Sequence, residues 1–176
     1  MPKNPENKNI SSFLLSRPAN SFLDLKPIRK IEALDFAELC KPVFPASKAS
    51  GSKELGLRYE RSVLKRVKRW FKGETVFHNP WIRFHDLHGN GFACPDIVVL
   101  ESGIIFECKL SFKESAISQI SDLYLPLCEE VFRRKFSRII ICKHWKGKAP
   151  EEAFPFLEVL SHPKDVKEFG VMVWTS

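Results

Sequence analysis

The chain has 176 residues, 44% of them hydrophobic, which suits one domain with a sizeable core and is too little for two packed domains. A formal net charge of +7 favours an anionic partner, nucleic acid first, and five cysteines, odd in number and widely spaced, argue against a disulfide framework. No apolar stretch approaches the ~20 residues of a membrane-spanning helix and the N-terminus is too polar for a secretory signal, so a cytoplasmic protein with no membrane attachment is expected.

Residues 1–50 read as an irregular N-terminal arm in which Pro2, Pro5, Pro18, Pro27, Pro42 and Pro45 punctuate a Ser- and Asn-rich stretch, with one short helix expected over 31–40. Phe13, Leu14, Leu15, Phe22, Leu23, Leu25 and Phe36 would be poorly solvated alone, so the arm is expected to pack on the domain or on a second copy. Ser50-Gly51-Ser52 makes a hinge, and the compact domain is expected over 51–176. Residues 54–71 form the clearest helix: Tyr59, Val63, Leu64, Val67, Trp70 and Phe71 fall on one arc and a dense set of basic residues on the other. Glu60 interrupts the apolar arc, where an acid has no structural reason to be unless its end snorkels to water.

Residues 75–78 and 81–85 read as strands, followed by a polar turn at His88-Gly89-Asn90-Gly91, where Asn90-Gly91 is a hairpin-turn signal. Residues 96–100 and 104–109 then form two apolar strands joined by the tight connection Glu101-Ser102-Gly103. A second helix is expected over 113–134, with Ile117, Ile120, Tyr124, Leu127 and Val131 as its apolar stripe and a bend at Pro126. Residues 138–142 suit a buried strand of a mixed or parallel sheet, 154–160 fit helix or loop, and 170–174 read as a final strand. The fold class is therefore α/β, a mixed central β-sheet flanked by helices, with an irregular arm.

The chemistry concentrates in the hairpin. Folding it brings Asp96 and Glu107 together, and strand alternation puts Ile105, Glu107 and Lys109 on one face with Phe106, Cys108 and Leu110 on the other. Two acids and a lysine projecting from apolar strands are costly to bury unless something binds them. Singly, each has a bland reading: Asp96 opening a strand, Glu107 and Lys109 an exposed edge pair, Gln119 a surface glutamine on a helix. His78, His85, Asp86 and His88 lack the partner pair a zinc site needs and read as solvated turn residues, while His162 stands alone.

Pro95-Asp96, ten intervening residues, then Glu107-x-Lys109 resembles the PD-(D/E)xK phosphodiesterase superfamily, the nuclease fold of many restriction enzymes, Holliday-junction resolvases and repair nucleases. The resemblance covers residues 51 to about 145 and includes Glu60 upstream and Gln119 downstream, where several branches carry an acid and a glutamine. It implies a restriction-endonuclease-like core and Mg²⁺-dependent hydrolysis of DNA, with Mn²⁺ as a substitute. Asp96, Glu107 and the backbone carbonyl of Cys108 would hold the metal, and Glu60 would add a ligand or hold a water. Lys109 would sit beside the attacking water, helping to deprotonate it or offsetting charge, and two carboxylates should keep its amine protonated without metal. Gln119 would approach the metal or the scissile phosphate. The implied activity is endonucleolytic, on a structured or modified duplex, with RNA as another substrate; the compact size suits a phage or mobile-element protein. A different class of function, a catalytically silent binding or assembly module on the same fold, is the alternative.

Eight basic residues lie between Lys53 and Lys72 against two acids, and Arg61, Lys65, Lys68 and Lys72 form one narrow stripe suited to a line of phosphates. Lys143, Lys146 and Lys148, interleaved with Trp145, make a second basic segment whose indole is placed to stack on a base. Targeting is expected to come from a homodimer or a partner protein.

Overall fold

The apolar hairpin sits at the centre of the molecule. A computed structural model describes residues 31, 33–43 and 50–174; the expectations for residues 1–30, including the packing of Phe13 to Leu25, lie outside the described residues. The elements run in the order β1 (Leu34–Cys40), α1 (Ser52–Trp70), β2 (Val76–His78), β3 (Trp81–Asp86), β4 (Gly89–Ala93), β5 (Ile97–Val99) and β6 (Ile104–Ser111). Then come α2 (Ser115–Ser118), a π-helical turn (Gln119–Tyr124), α3 (Leu125–Phe132), β7 (Ser137–His144), α4 (Pro150–Ala153), β8 (Glu158–Val159), a 3₁₀ turn (Pro163–Asp165) and β9 (Phe169–Val173).

The six-stranded sheet has the order β2-β5-β6-β7-β9-β8 and is mixed: β2, β5 and β6 are antiparallel neighbours, whereas β6, β7, β9 and β8 are parallel. The fold is thus α/β with a mixed central sheet flanked by helices. Ile139, Ile140 and Ile141 of β7 are wholly buried, as expected of a strand covered on both faces. α1 covers one face, packing Tyr59, Val63, Val67 and Phe71 against Ile97, Val99, Phe106, Ile139 and Ile141. The other face carries Val98, Ile105, Ile140 and Cys142 and is covered by Ile82, Phe84 and Ala93 of a small β1-β3-β4 sheet together with Ala116, Ile120, Tyr124 and Leu127. The β5–β6 connection needs Gly103, whose φ is +63° and where a Cβ would meet the Lys135 carbonyl at 2.7 Å.

Several expectations are corrected. Residues 34–40 are a strand, not a helix: helix-forming Ala37, Glu38 and Leu39 pair with β3 as far as Cys40↔Trp81, so tertiary pairing overrides local propensity and the folded body extends upstream of the hinge. Asn90-Gly91 is not the hairpin turn; Asp86 pairs with Gly89, placing the turn at Leu87-His88 and Asn90 and Gly91 inside β4. Residues 113–134 are not one helix bent at Pro126. The break is the π-helical turn seven residues earlier, and Pro126 sits harmlessly in the first turn of α3. Residues 154–160 end in the short strand β8, with the helical turn α4 lying before them. All five cysteines are free, and no helix among the described residues is long and apolar enough to cross a membrane.

Candidate active site

The site begins where β5 stops. The β5–β6 register pairs Ile97 with Phe106, and one step further out Asp96 faces the Glu107 end of β6, which runs on to Ser111 without a β5 partner. The backbone N–H of Cys108 donates to Asp96 Oδ2 at 2.7 Å, so the strand that carries Glu107 and Lys109 also fixes Asp96. Asp96 is half-buried, while Glu107 is 1% exposed. Glu107 Oε1 accepts from Lys109 Nζ at 2.5 Å, but its other oxygen, Oε2, is buried with no hydrogen-bond partner among the described residues. An unpaired carboxylate oxygen in a protein interior is expensive, and a water or a cation could satisfy it.

The π-helical turn brings Gln119 in. Lys109 Nζ also donates to Gln119 Oε1 at 3.0 Å, and Gln119 Nε2 donates to the Tyr124 hydroxyl at 2.6 Å, all on the Glu107 side of the sheet. Gln119 is therefore no surface glutamine; it is buried, with its amide orientation set by Tyr124. The extra residue that a π turn accommodates re-aims a helix side chain, and such turns recur at functional sites.

Glu60 reaches the same corner from α1. Its Oε1 accepts from His78 Nε2 at 2.5 Å and from Asn79 Nδ2 at 2.8 Å. His78 is exposed as expected, but it ends β2 rather than lying in a turn and is tied to Glu60. Asp86 departs from that reading, being buried and accepting from the His88 backbone N–H, whereas His85 is exposed on β3 with its Nδ1 2.9 Å from Asn90 Oδ1. His162 caps the 3₁₀ turn, accepting from Lys164 N, away from the acids.

The electrostatics are those of crowded acids. Burial pushes the Asp96 carboxyl well above its ordinary range, and the charges of Glu107 and Glu60 push it further, against the Cys108 N–H and Lys109. Burial likewise raises Glu107, opposed by Lys109. Burial alone would lower Lys109, but the Glu107 charge and hydrogen bond, with Asp96 beyond, outweigh it and hold the ammonium protonated. Burial and the same three acids push the Cys94 thiol up to about 12, so Cys94 stays a thiol beside the site. The Cys108 side chain faces the opposite side of the sheet, among the residues under α1, leaving only its backbone for the site.

A hard divalent cation fits this donor set. Among the described residues no three His, Cys, Asp or Glu side chains gather as a closed metal cage. Mg²⁺ asks for less, one or two carboxylates with the remaining places left to water and a phosphate. Asp96, Glu107 with its unpaired Oε2, and the Cys108 carbonyl could supply that.

The two basic surfaces stand differently toward the site. Arg61, Lys65, Lys68 and Lys72 are all exposed; the first three lead away from Glu60 over ~10 Å at a helical rise of ~1.5 Å per residue, and Lys72 lies just past the end of α1. Residues 143–148 leave β7 at the end where Lys109 lies: Ser111 pairs with His144, two residues or ~7 Å beyond Lys109 along β6. Lys146 and Lys148 are exposed and Lys143 is half-buried. Trp145 does not offer a free ring as expected. Its centroid lies 3.9 Å from Phe112 and its Nε1 donates to the Lys148 carbonyl at 2.6 Å, so the indole clasps the loop.

Set against known proteins, the chain matches no family model, no curated relative and no solved structure.

Proposed function

We propose that this chain is a PD-(D/E)xK-type nuclease with a restriction-endonuclease-like core, hydrolysing phosphodiesters of DNA with Mg²⁺, or Mn²⁺ in its place. The observation that carries the reading is the wholly buried Glu107 carboxylate with an unpaired oxygen, facing Asp96 at the open end of a hairpin and flanked by Lys109. A carboxylate oxygen buried without a partner is costly, and a bound cation would offset that cost.

Asp96, Glu107 and the Cys108 carbonyl would hold the metal, which when bound supplies a Lewis acid for a phosphoryl oxygen and the leaving oxygen. Lys109, already protonated and aimed by Glu107 and Gln119, places positive charge where the reacting phosphate gains negative charge. Gln119 fixes the lysine's direction, and Tyr124 fixes Gln119. Glu60 lies in the same electrostatic neighbourhood and would add a ligand or hold a water. Lys143, Lys146 and Lys148 are the nearer phosphate contacts, with Arg61, Lys65, Lys68 and Lys72 a more distant track. A homodimer or partner protein would supply targeting.

The test is incubation of the purified protein with Mg²⁺ or Mn²⁺ and a panel of duplex, branched and single-stranded DNA and RNA. Cleavage of DNA is expected with either ion; Ca²⁺, larger and looser in geometry, should support binding with little cutting. Binding without cutting under every condition favours a silent nuclease-fold module. Cleavage that survives excess chelator, or full activity in Asp96→Ala, removes the metal-nuclease reading.

A further inference from the structure

Glu60 is held by neighbours that no sequence motif contains. His78 ends β2 and Asn79 follows it in a left-handed conformation, φ 50°, which asparagine tolerates better than other non-glycine residues. Both side chains converge on one oxygen of Glu60, at 2.5 and 2.8 Å, and no hydrogen bond from a described residue reaches Oε2. The same Asn79 uses its backbone N–H to donate to the Asp96 carbonyl at 2.9 Å, while His78 pairs in register with Ile97. One dipeptide thus ties a helix carboxylate to the strand end that carries the first acid of the site. Without it, Glu60 would have reason to swing to solvent, because the charges of Asp96 and Glu107 repel it.

We infer that His78 and Asn79 are positioning residues, a clamp that fixes Glu60 by one oxygen and presents the other toward the cation and its surrounding water. The inference rests on the nuclease reading and goes beyond it: it assigns a role to a left-handed turn on β2 that the acid-acid-lysine pattern does not include. Two donors on Oε1 leave Oε2 as the open oxygen and fix the plane of the group, so the carboxylate acts as an oriented hydrogen-bond acceptor rather than a freely rotating charge.

The experiment is a double-mutant cycle between Asn79→Gly and Glu60→Gln, read by Mn²⁺ binding to the nucleic-acid-free protein in electron paramagnetic resonance and by single-turnover cleavage against Mn²⁺ concentration. Asn79→Gly keeps the left-handed backbone and the N–H to Asp96 while deleting the side-chain donor, so folding should survive and the melting temperature should stay put. The half-saturating Mn²⁺ concentration should rise about tenfold, with a comparable fall in rate at fixed Mn²⁺. His78→Ala should act in the same direction. Because the clamp works only through Glu60, the double variant should be no worse than Glu60→Gln alone. Asn79→Gly that binds and cuts as the parent does, or effects that simply add to those of Glu60→Gln, overturn the clamp while leaving an active nuclease in place. A parent protein that binds no Mn²⁺ and cuts nothing sinks the nuclease reading itself, and the clamp with it.

Discussion

The two faces of β6 are built from alternating residues of one strand, yet they obey different rules. Toward α1, Phe106, Cys108 and Leu110 meet Tyr59, Val63, Val67 and Phe71, with Phe106 fully buried and stacked edge-on to Phe71 at 6.1 Å. Toward the small sheet and the π-helical turn, Ile105 gives way to Glu107 and Lys109, a buried carboxylate with one oxygen unpaired and an ammonium held by two acceptors. The first face is mainly an apolar packing surface and the second gathers charge, and the contrast predicts that substitutions on the two faces separate activity from stability in opposite directions.

The largest effects should come from the charged face. Glu107→Gln and Asp96→Asn are each expected to lower cleavage by at least about a thousandfold while leaving the melting temperature unchanged or raised, since relieving buried like charges removes a cost; Lys109→Ala should lose as much cleavage but lower the melting temperature, because it leaves Glu107 buried without its cation. Nicking assays beside thermal melts decide it; a variant that loses activity only in proportion to lost fold would erase the distinction between the faces. On the apolar face, Phe106→Ala should cost about 3–5 kcal/mol in urea unfolding, with the protein that remains folded still active. A mild cost there would mean the α1 face is loosely packed.

The basic surfaces sharpen the comparison at longer range. Neutralising Lys146 and Lys148, on the loop beside the charged face, should each reduce the magnitude of the log–log salt slope of DNA binding by about 1 and weaken affinity alike for all sequences. Lys65→Ala and Lys68→Ala, on the outer side of α1, should have smaller effects, and both sets should recover cleavage at saturating DNA. An inverted ranking would show that the nucleic acid runs along α1.

The smallest expected effect is a pH dependence of the metal-free protein. Both carboxyls are raised in the folded state, Asp96 by burial and by the charges of Glu107 and Glu60, Glu107 by burial and by Glu60 against the pull of Lys109. A raised folded value means that folding takes up protons: the stabilising contribution is full below the ordinary values of 3.8 and 4.5 and is lost as pH rises through the raised ones. Relative to an Asp96→Asn, Glu107→Gln double variant, the metal-free parent should therefore gain stability as pH is lowered from neutrality toward that range. A flat or opposite difference in melting temperature would show that the two acids are not strained.

Much of the charged face was legible in one dimension. Strand alternation placed Glu107 and Lys109 together, hairpin geometry put Asp96 beside them, and helical periodicity singled out Glu60 as an acid on an apolar arc, where it is indeed buried. Less legible were the groups that orient these side chains. His78 and Asn79 have no periodic signature, because their role depends on a left-handed turn meeting a helix eighteen residues earlier in the chain. Gln119 sat beside the predicted stripe, and a continuous α-helical reading could not foresee that a π turn would rotate it onto Lys109. The strand over 34–40 was hidden for a similar reason, since its helix-forming residues are overruled by a partner more than forty positions away.

The sequence by itself determined the mixed α/β class, the apolar hairpin and the identity of the acids and lysine, since periods of 2 and 3.6 are local and a charge among apolar neighbours is visible without coordinates. The tertiary structure alone decided which oxygen is left unpaired, which basic segment stands beside Lys109, and what holds Glu60 and Gln119. Those depend on strand register, a helix defect and a turn conformation, where a shift of one residue reverses the direction in which a side chain points.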